Sequence, residues 1–169
     1  MEKEYIHFYN SPIGLLEIKA KKDVITSVLF FNEKQKEEDF IPEVLKDCAA
    51  QMDEYFRGRR KEFDLPLHFE GTAFQKKVWS ELLNIPFGET VSYLDIALRV
   101  GNEKTIRAVG GANGRNPISI IVPCHRVIGS DGRLIGYGGG LWRKEWLLNH
   151  EVKYSDKATG QLKIAFQSE

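Results

Sequence analysis

Pro123-Cys124-His125-Arg126 sets a thiol, an imidazole and a guanidinium on three successive residues. A free thiol titrates at about 8.5, and nearby positive charge or a hydrogen-bonded base raises its thiolate fraction at neutral pH. A thiolate is a soft nucleophile, suited to attack on a saturated carbon as well as on a carbonyl. The other cysteine, Cys48, falls on the apolar face of a predicted helix with no histidine near it in sequence, the pattern of a small buried hydrophobe. Cys124 is therefore the candidate nucleophile. A Cys–His hydrolase would also need an oxyanion hole, for which the sequence offers no signal.

The elements around that thiol must hold it in place. Asn116-Pro117-Ile118-Ser119-Ile120-Ile121-Val122 reads as a buried strand that delivers Cys124 at its end. Upstream, Thr72 and Gln75 have capping-box spacing at the start of a helix with Phe74, Val78, Leu82 and Leu83 on one face, ended by Pro86 and Gly88. Ser92 and Asp95 open a second helix with Leu94, Ala97 and Leu98 apolar, and Gly101-Asn102 turns into a third from about Glu103 to Ala112. Two short helices joined by a tight turn containing glycine predict a helix-turn-helix, although a plain helical hairpin has the same pattern.

The last of these helices carries Arg107 in its first turns, while Ala108, Gly110, Gly111 and Ala112 leave it almost bare. Each interior glycine costs about 1 kcal/mol relative to alanine. Close packing would explain the cost, and so would close approach to a phosphate backbone or a narrow groove. Between Arg99 and Arg133 there are six basic residues, Arg115 among them, against Glu103 and Asp131. That excess on a small-residue helix favours DNA.

Residues 5–70 are simpler. Tyr5 to Tyr9, Leu15 to Lys19 and Val24 to Phe31 read as strands, and Asn32 to Asp39 as a solvated loop. Val44, Leu45, Cys48, Ala49, Met52, Tyr55 and Phe56 recur at helical spacing, with Gly58 as the stop. A linker from Phe63 to Gly71 follows.

The 169 residues hold 24 Lys+Arg and 24 Asp+Glu, with 42% hydrophobic and 28% charged residues. This composition excludes whole-chain disorder, collagen-like repeats and a disulfide scaffold. The neutral total hides an asymmetry, because residues 1–70 carry 11 Lys+Arg against 15 Asp+Glu and the excess of positive charge lies in the remainder. Two distant cysteines predict a reducing compartment. The N-terminus has no signal-peptide pattern and no apolar run approaches the roughly 20 residues of a membrane span. The expectation is a cytoplasmic protein, or a nuclear one in a eukaryote, with no membrane partner. Gly136-Tyr137-Gly138-Gly139-Gly140 matches neither a dinucleotide nor a phosphate loop, and His7, His68, His125 and His150 show no ligand spacing, so no cofactor and no metal are expected.

Taken together, Pro123-Cys124-His125-Arg126-Val127 and Gly136 to Gly140 resemble the O(6)-alkylguanine-DNA alkyltransferases, the methylated-DNA–protein-cysteine methyltransferases. The resemblance is strong from Thr72 to Glu151 and includes Arg107 to Ala112, Asn116-Pro117 and Lys144-Glu145-Trp146-Leu147-Leu148-Asn149-His150-Glu151.

The resemblance implies DNA repair by direct, single-turnover transfer of an alkyl group from O6 of guanine, with O4-alkylthymine as a further substrate. Cys124 would be the acceptor, His125 its base through a water, Glu151 the residue orienting His125, and Asn116 a support for the cysteine loop. It also implies a flipped-out base. Arg107 would fill the vacated stack, Tyr93 would push the 3′ phosphate, and Ala108, Gly110, Gly111 and Arg115 would face the minor groove of double-stranded DNA. Tyr137 would donate a hydrogen bond to the base, with Pro123, Gly138 and Gly139 lining its pocket. Some relatives carry serine at the Gly138 position, so a hydroxyl contact would be missing here. Two relatives' roles compete with repair: recognition of alkylguanine without transfer, which the presence of Cys124 disfavours, and gene regulation through cysteine methylation, for which no extra DNA-binding module is seen.

The expected fold is α+β. A small N-terminal sheet-plus-helix domain spans 1–68, and a mostly helical DNA-binding and acceptor domain containing a helix-turn-helix spans 72–151. Residues 152–169 form an extension without an assigned role, and the protein is expected to be a monomer.

Overall fold

A computed structural model of the chain describes residues 2–156. The alternation of Leu162, Ile164 and Phe166, read as a strand, lies outside them. Two compact units divide the described residues: one runs to Glu70 and includes Pro117–Ser119, and the other comprises Gly71–Asn116 and Ile120 onward. The architecture is α+β, as expected.

The first unit is an antiparallel meander of β1 (Glu4–Ser11), β2 (Gly14–Lys21) and β3 (Val24–Phe30), with β2 central. Leu16, Ile18 and Ala20 alternate along β2 and are fully buried, as the period of two requires when one face meets the core. Helix α1 (Glu43–Phe56) buries Leu45, Cys48, Met52, Tyr55 and Phe56 on one face. It ends as Gly58 takes up φ 76°, a left-handed conformation that glycine adopts without steric penalty. The charged loop after β3 is largely exposed, yet Glu37 is pinned to β1 through His7 Nδ1 and the Phe8 amide, each at 3.0 Å.

The strand predicted over 116–122 does not form. The segment makes isolated bridges instead, among them one from Ile118 to Val28, where Val28 N donates to Pro117 O at 2.9 Å and Ser119 N to Val28 O at 2.8 Å. The chain then turns away at Ile120, whose φ of 73° is an outlier for a β-branched residue. Such strain costs about 1–3 kcal/mol. Full burial of the Ile120 side chain contributes a similar amount, about 1.5–3 kcal/mol, in the opposite direction. The apolar run is therefore a buried loop.

In the second unit both capping boxes form. Gln75 N donates to Thr72 Oγ1 at 3.1 Å and Asp95 N to Ser92 Oγ at 3.0 Å, with the reciprocal side-chain bonds in place. Helix α2 (Ala73–Leu82) buries Val78, Trp79 and Leu82; Leu83, predicted on the same face, lies just past its end and is 45% exposed. Helix α3 (Tyr93–Val100) buries Ile96, Ala97 and Val100 and leaves Leu98 exposed. Asn102 Oδ1 accepts from Lys104 N at 2.9 Å, and one 3₁₀ turn (Glu103–Thr105) leads into α4 (Ile106–Gly114), which ends two residues past the predicted Ala112. Trp79 Nε1 donates to Ala112 O at 2.8 Å, tying α2 to α4.

Val91–Ser92 (β4) pairs in parallel with Val127–Ile128 (β5), a ladder the sequence did not reveal. Helix α5 (Leu141–Tyr154) continues three residues past the expected boundary at Glu151. Among the described residues no helix is long and apolar enough to cross a membrane.

Candidate active site

The acceptor turn is built by proline. Pro123 has φ −82° and ψ 63°, and Cys124 N donates to Val122 O at 2.8 Å, an inverse γ-turn that starts the 3₁₀ turn Cys124–Arg126. Asn116 Nδ2 donates to Val122 O at 2.8 Å, which fixes the carbonyl end of this turn. Cys124 is 5% exposed. Burial pushes its thiol pKa upward, opposed by a hydrogen bond from Asn116 and by the positive charge of Lys144.

His125 is fully buried, and its Nε2 lies 2.7 Å from Glu151 Oε2. Burial holds the imidazole below its ordinary pKa, against the pull of the Glu151 carboxylate, so at neutral pH the ring is uncharged. An ionised carboxylate only accepts, so Nε2 carries the proton and Nδ1 keeps its lone pair. Nδ1 is buried with no hydrogen-bond partner among the described residues. The ring is thus a neutral base with its acceptor nitrogen unused.

Glu151 is buried and ionised. Burial alone would raise its pKa, but His125 and Arg126 together hold it well below the usual carboxylate range. Its Oε1 accepts from Arg126 Nε at 2.7 Å and from Gly88 N at 3.2 Å, and its Oε2 from His125 and from Arg126 Nη2 at 3.0 Å. Arg126 also donates to Ile85 O at 2.6 Å. Gly88 reaches the carboxylate with φ +80°, and a Cβ there would lie 2.8 Å from Ser155 Cβ, so no other residue fits the position without movement.

Lys144 has a place here that sequence reading missed, although its helix supplied part of the resemblance. It shares one face of α5 with Leu147, Leu148 and Glu151. The side chain is fully buried, and Nζ donates to Gly136 O at 3.1 Å, Ile135 O at 3.2 Å and Tyr93 Oη at 3.3 Å. Burial lowers its pKa to about 8, opposed by the Cys124 charge. Lysine and thiolate therefore stabilise one another. A lysine by residue type gives no sign of burial, so only the fold exposes this role.

A cavity of about 420 Å³ opens beside α4, walled by Tyr93, Ile106, Arg107, Gly110, Ile135 and Gly136. Tyr93 donates to Ile135 O at 2.5 Å, and burial raises its pKa to about 12. Arg107 and Ala108 are exposed on α4, and Arg115 is exposed just past its end. Among the described residues, a Cβ added at Gly110 or Gly114 would meet nothing within 4 Å, and one at Gly111 only the end of the Arg115 side chain at 3.3 Å. Close packing against the described residues therefore does not account for Gly110. Gly138 is exposed and the half-buried Gly139 accepts from Arg143 Nη1 at 2.9 Å. Tyr137 is half-buried, and its carbonyl accepts from Gly140 N at 2.9 Å. Pro123, Tyr137, Gly138 and Gly139 are not among the walls of this cavity. Among the described residues no group of three or more His, Cys, Asp or Glu is placed to hold a metal ion.

Comparison with known proteins agrees with these features. Residues 5–69 match the family described as 6-O-methylguanine DNA methyltransferase, ribonuclease-like domain, and residues 73–153 match its DNA binding domain. A methylated-DNA–protein-cysteine methyltransferase of Methanosarcina acetivorans is 46% identical over 154 residues, covering 87% of this chain and 97% of that protein. One of Haemophilus influenzae is 43% identical over 170 residues, covering 96% and 94%. Among solved structures, the O6-methylguanine methyltransferase of Mycobacterium tuberculosis superposes with a TM-score of 0.82 at 41% identity, covering 94% of this chain and 99% of that one. The same organism's enzyme in complex with DNA gives 0.80 at 44% identity, covering 89% and 94%. The chain belongs to the 6-O-methylguanine DNA methyltransferase family.

Proposed function

We propose that this protein repairs DNA by taking the alkyl group of O6-alkylguanine onto Cys124, once per molecule. The observation that carries the reading is the buried sequence Cys124, His125, Glu151, with an unused lone pair on His125 Nδ1, next to a helix left bare for a partner. His125 takes the thiol proton at Nδ1 through a bridging water, and Glu151 stabilises the resulting imidazolium. The Cys124 sulfur attacks the alkyl carbon in line. The bond from that carbon to O6 breaks, and guanine leaves with the electron pair and takes up a proton. The product is a thioether with no charge and no leaving group of its own, so nothing in the site regenerates the thiol.

The target base must leave the duplex to reach a thiol 5% exposed. Helix α4 is the element that meets DNA. Its open surface at Gly110 and Gly114 suits the minor groove, which is only about 6 Å wide. Arg107 takes the position the base vacates, a role supported by its exposure and its place on the cavity wall. One chain holds all of these residues, which supports action as a monomer.

Intact-mass spectrometry after mixing with a duplex containing O6-methylguanine tests the function. The expected result is one added methyl group, mapped to Cys124 and saturating at one per chain; binding by the reduced protein with no mass change would overturn it. Arg107→Ala should slow repair of duplex DNA about 10- to 100-fold, the part of a base-flipping cost of a few kcal/mol that an inserted side chain offsets. Its reaction with free O6-benzylguanine should be nearly unchanged. Equal losses on both substrates would remove Arg107 from the flipping step.

A further inference from the structure

Strand β1 is an edge of the three-stranded sheet. The Phe8 amide donates away from β2, to Glu37 Oε1 at 3.0 Å. By the alternation of an antiparallel ladder, the backbone groups of Glu4, Ile6 and Asn10 face the same way. Among the described residues those backbone groups have no hydrogen-bond partner. An unpaired edge is a template for another strand. β1 carries no proline, glycine or lysine to discourage pairing, and Tyr5-Ile6-His7-Phe8-Tyr9 is rich in β-forming residues. The opposite edge is engaged, because β3 bridges to Leu67 at Ile25 and to Ile118 at Val28.

The segment after β3 lies along the β1 edge as a clasp. Glu37 Oε1 accepts from His7 Nδ1 at 3.0 Å as well as from Phe8 N. Glu38 Oε2 lies 2.8 Å from Lys3 Nζ, and Phe40 meets Tyr5 edge-on with ring centroids 5.8 Å apart. The Lys3 pair is well exposed and contributes little. Glu37 is the firmer contact: its side chain is 21% exposed and that of His7 20%.

The middle of β1 has the same character read from either end, with Tyr5 and Tyr9 outermost, Ile6 and Phe8 next, and His7 central. Antiparallel pairing of two copies about a two-fold axis at His7 sets Tyr5 against Tyr9, Ile6 against Phe8 and His7 against His7 of the second copy. Ile6 and Phe8, whose backbone groups face outward, then form a hydrogen-bonded pair on each side of the axis. The donor this pairing needs, Phe8 N, is the one Glu37 holds. Such an interface is isologous and closes at two subunits. We infer that β1 is a self-pairing edge and that Glu37 keeps the protein monomeric by occupying it. With the carboxylate gone, two copies join through β1 into one continuous sheet.

Sedimentation equilibrium of the full chain tests this. Wild-type protein should remain monomeric, and Glu37→Ala should show an average mass that rises about twofold with concentration. Glu37→Gln keeps an oxygen for the Phe8 amide but loses the charge that strengthens the bond, and should fall between the two. A cysteine at the axis reads the register. Residues opposed in a non-hydrogen-bonded pair lie about 4.5 Å apart at Cα, within disulfide range. His7→Cys combined with Glu37→Ala should therefore cross-link as a dimer on mild oxidation. Glu37→Ala alone should not, because Cys48 and Cys124 are buried. A folded Glu37→Ala variant that stays monomeric up to about 1 mM would overturn the inference. Wild-type protein that is already dimeric, larger species without a dimer, or a dimer that fails to cross-link through position 7 would do the same. If melting shows that Glu37→Ala does not fold, the masses of Glu37→Gln decide by the same criteria.

Discussion

Cys124→Ala is expected to abolish alkyl transfer completely while leaving DNA binding intact. The methyl side chain of alanine fits the space of the buried thiol, and none of the Glu151, Arg126 or Asn116 hydrogen bonds described above uses the sulfur as their only anchor. No second nucleophile can take over. The remaining thiol, Cys48, is fully buried, and burial pushes its pKa to about 12. At neutral pH Cys48 is therefore held as the neutral thiol, the poorer nucleophile. Intact-mass spectrometry of the variant after incubation with an O6-methylguanine duplex should show no addition, and titration of labelled duplex should give wild-type affinity. A methyl adduct appearing on the variant would refute Cys124 as the acceptor. Loss of DNA affinity along with transfer would mean that the substitution disturbed the fold of the acceptor turn.

The parts of this site written in local spacing were legible in the sequence. Thr72 with Gln75 and Ser92 with Asp95 are capping boxes whose partners are three residues apart, so pattern and physics coincide. Cys124 and His125 were marked by adjacency, and Glu151 by the family resemblance. What the sequence hid depends on distant pairings. The apolar run from Ile118 to Val122 has strand composition, yet it forms isolated bridges in place of a continuous strand, and the left-handed Ile120 turns the chain away. Nothing in local propensity forecasts a β-branched residue at positive φ, because packing overrides it. Strands of two residues, Val91–Ser92 against Val127–Ile128, are too short to leave a periodic signal. Lys144, Asn113 and Arg126 are polar residues whose types give no sign of burial, and each is buried because its partners arrive from elsewhere in the chain. Arg126 was noticed only as a charge near the thiol; its actual partner is Glu151, 25 residues on.

Glu151→Gln should damage both chemistry and stability, and the two effects separate by measurement. The carboxylate accepts hydrogen bonds from His125, Arg126 and the Gly88 amide. Glutamine keeps the shape, but its amide offers one accepting oxygen and no charge. Arg126, with a side chain 8% exposed, would be left as a buried cation facing a dipole. Removing one partner of a buried pair costs about 3–5 kcal/mol, so a substantial fall in melting temperature is expected. Below that temperature the folded variant should still transfer more slowly, by about 10²- to 10⁴-fold, the usual share of general-base catalysis. Without the anion, Nε2 is no longer held as the donor and the imidazolium formed at Nδ1 loses its counter-charge.

A pH series distinguishes this account from simple misfolding. Glu151 has its folded pKa depressed below the ordinary 4.5 by His125 and Arg126, against the opposing effect of burial. The unfolded state therefore binds the proton first as pH falls. The stability contributed by the ionised carboxylate is present in full above about pH 4.5 and is lost progressively below it, down through the folded pKa. Wild-type protein should show this loss in denaturant melts taken from pH 6 downward, and Glu151→Gln should show a smaller one. Parallel acid dependence in the two proteins would mean that the carboxylate is not the ionised centre of the network. A variant that transferred at the wild-type rate would show that His125 acts without it.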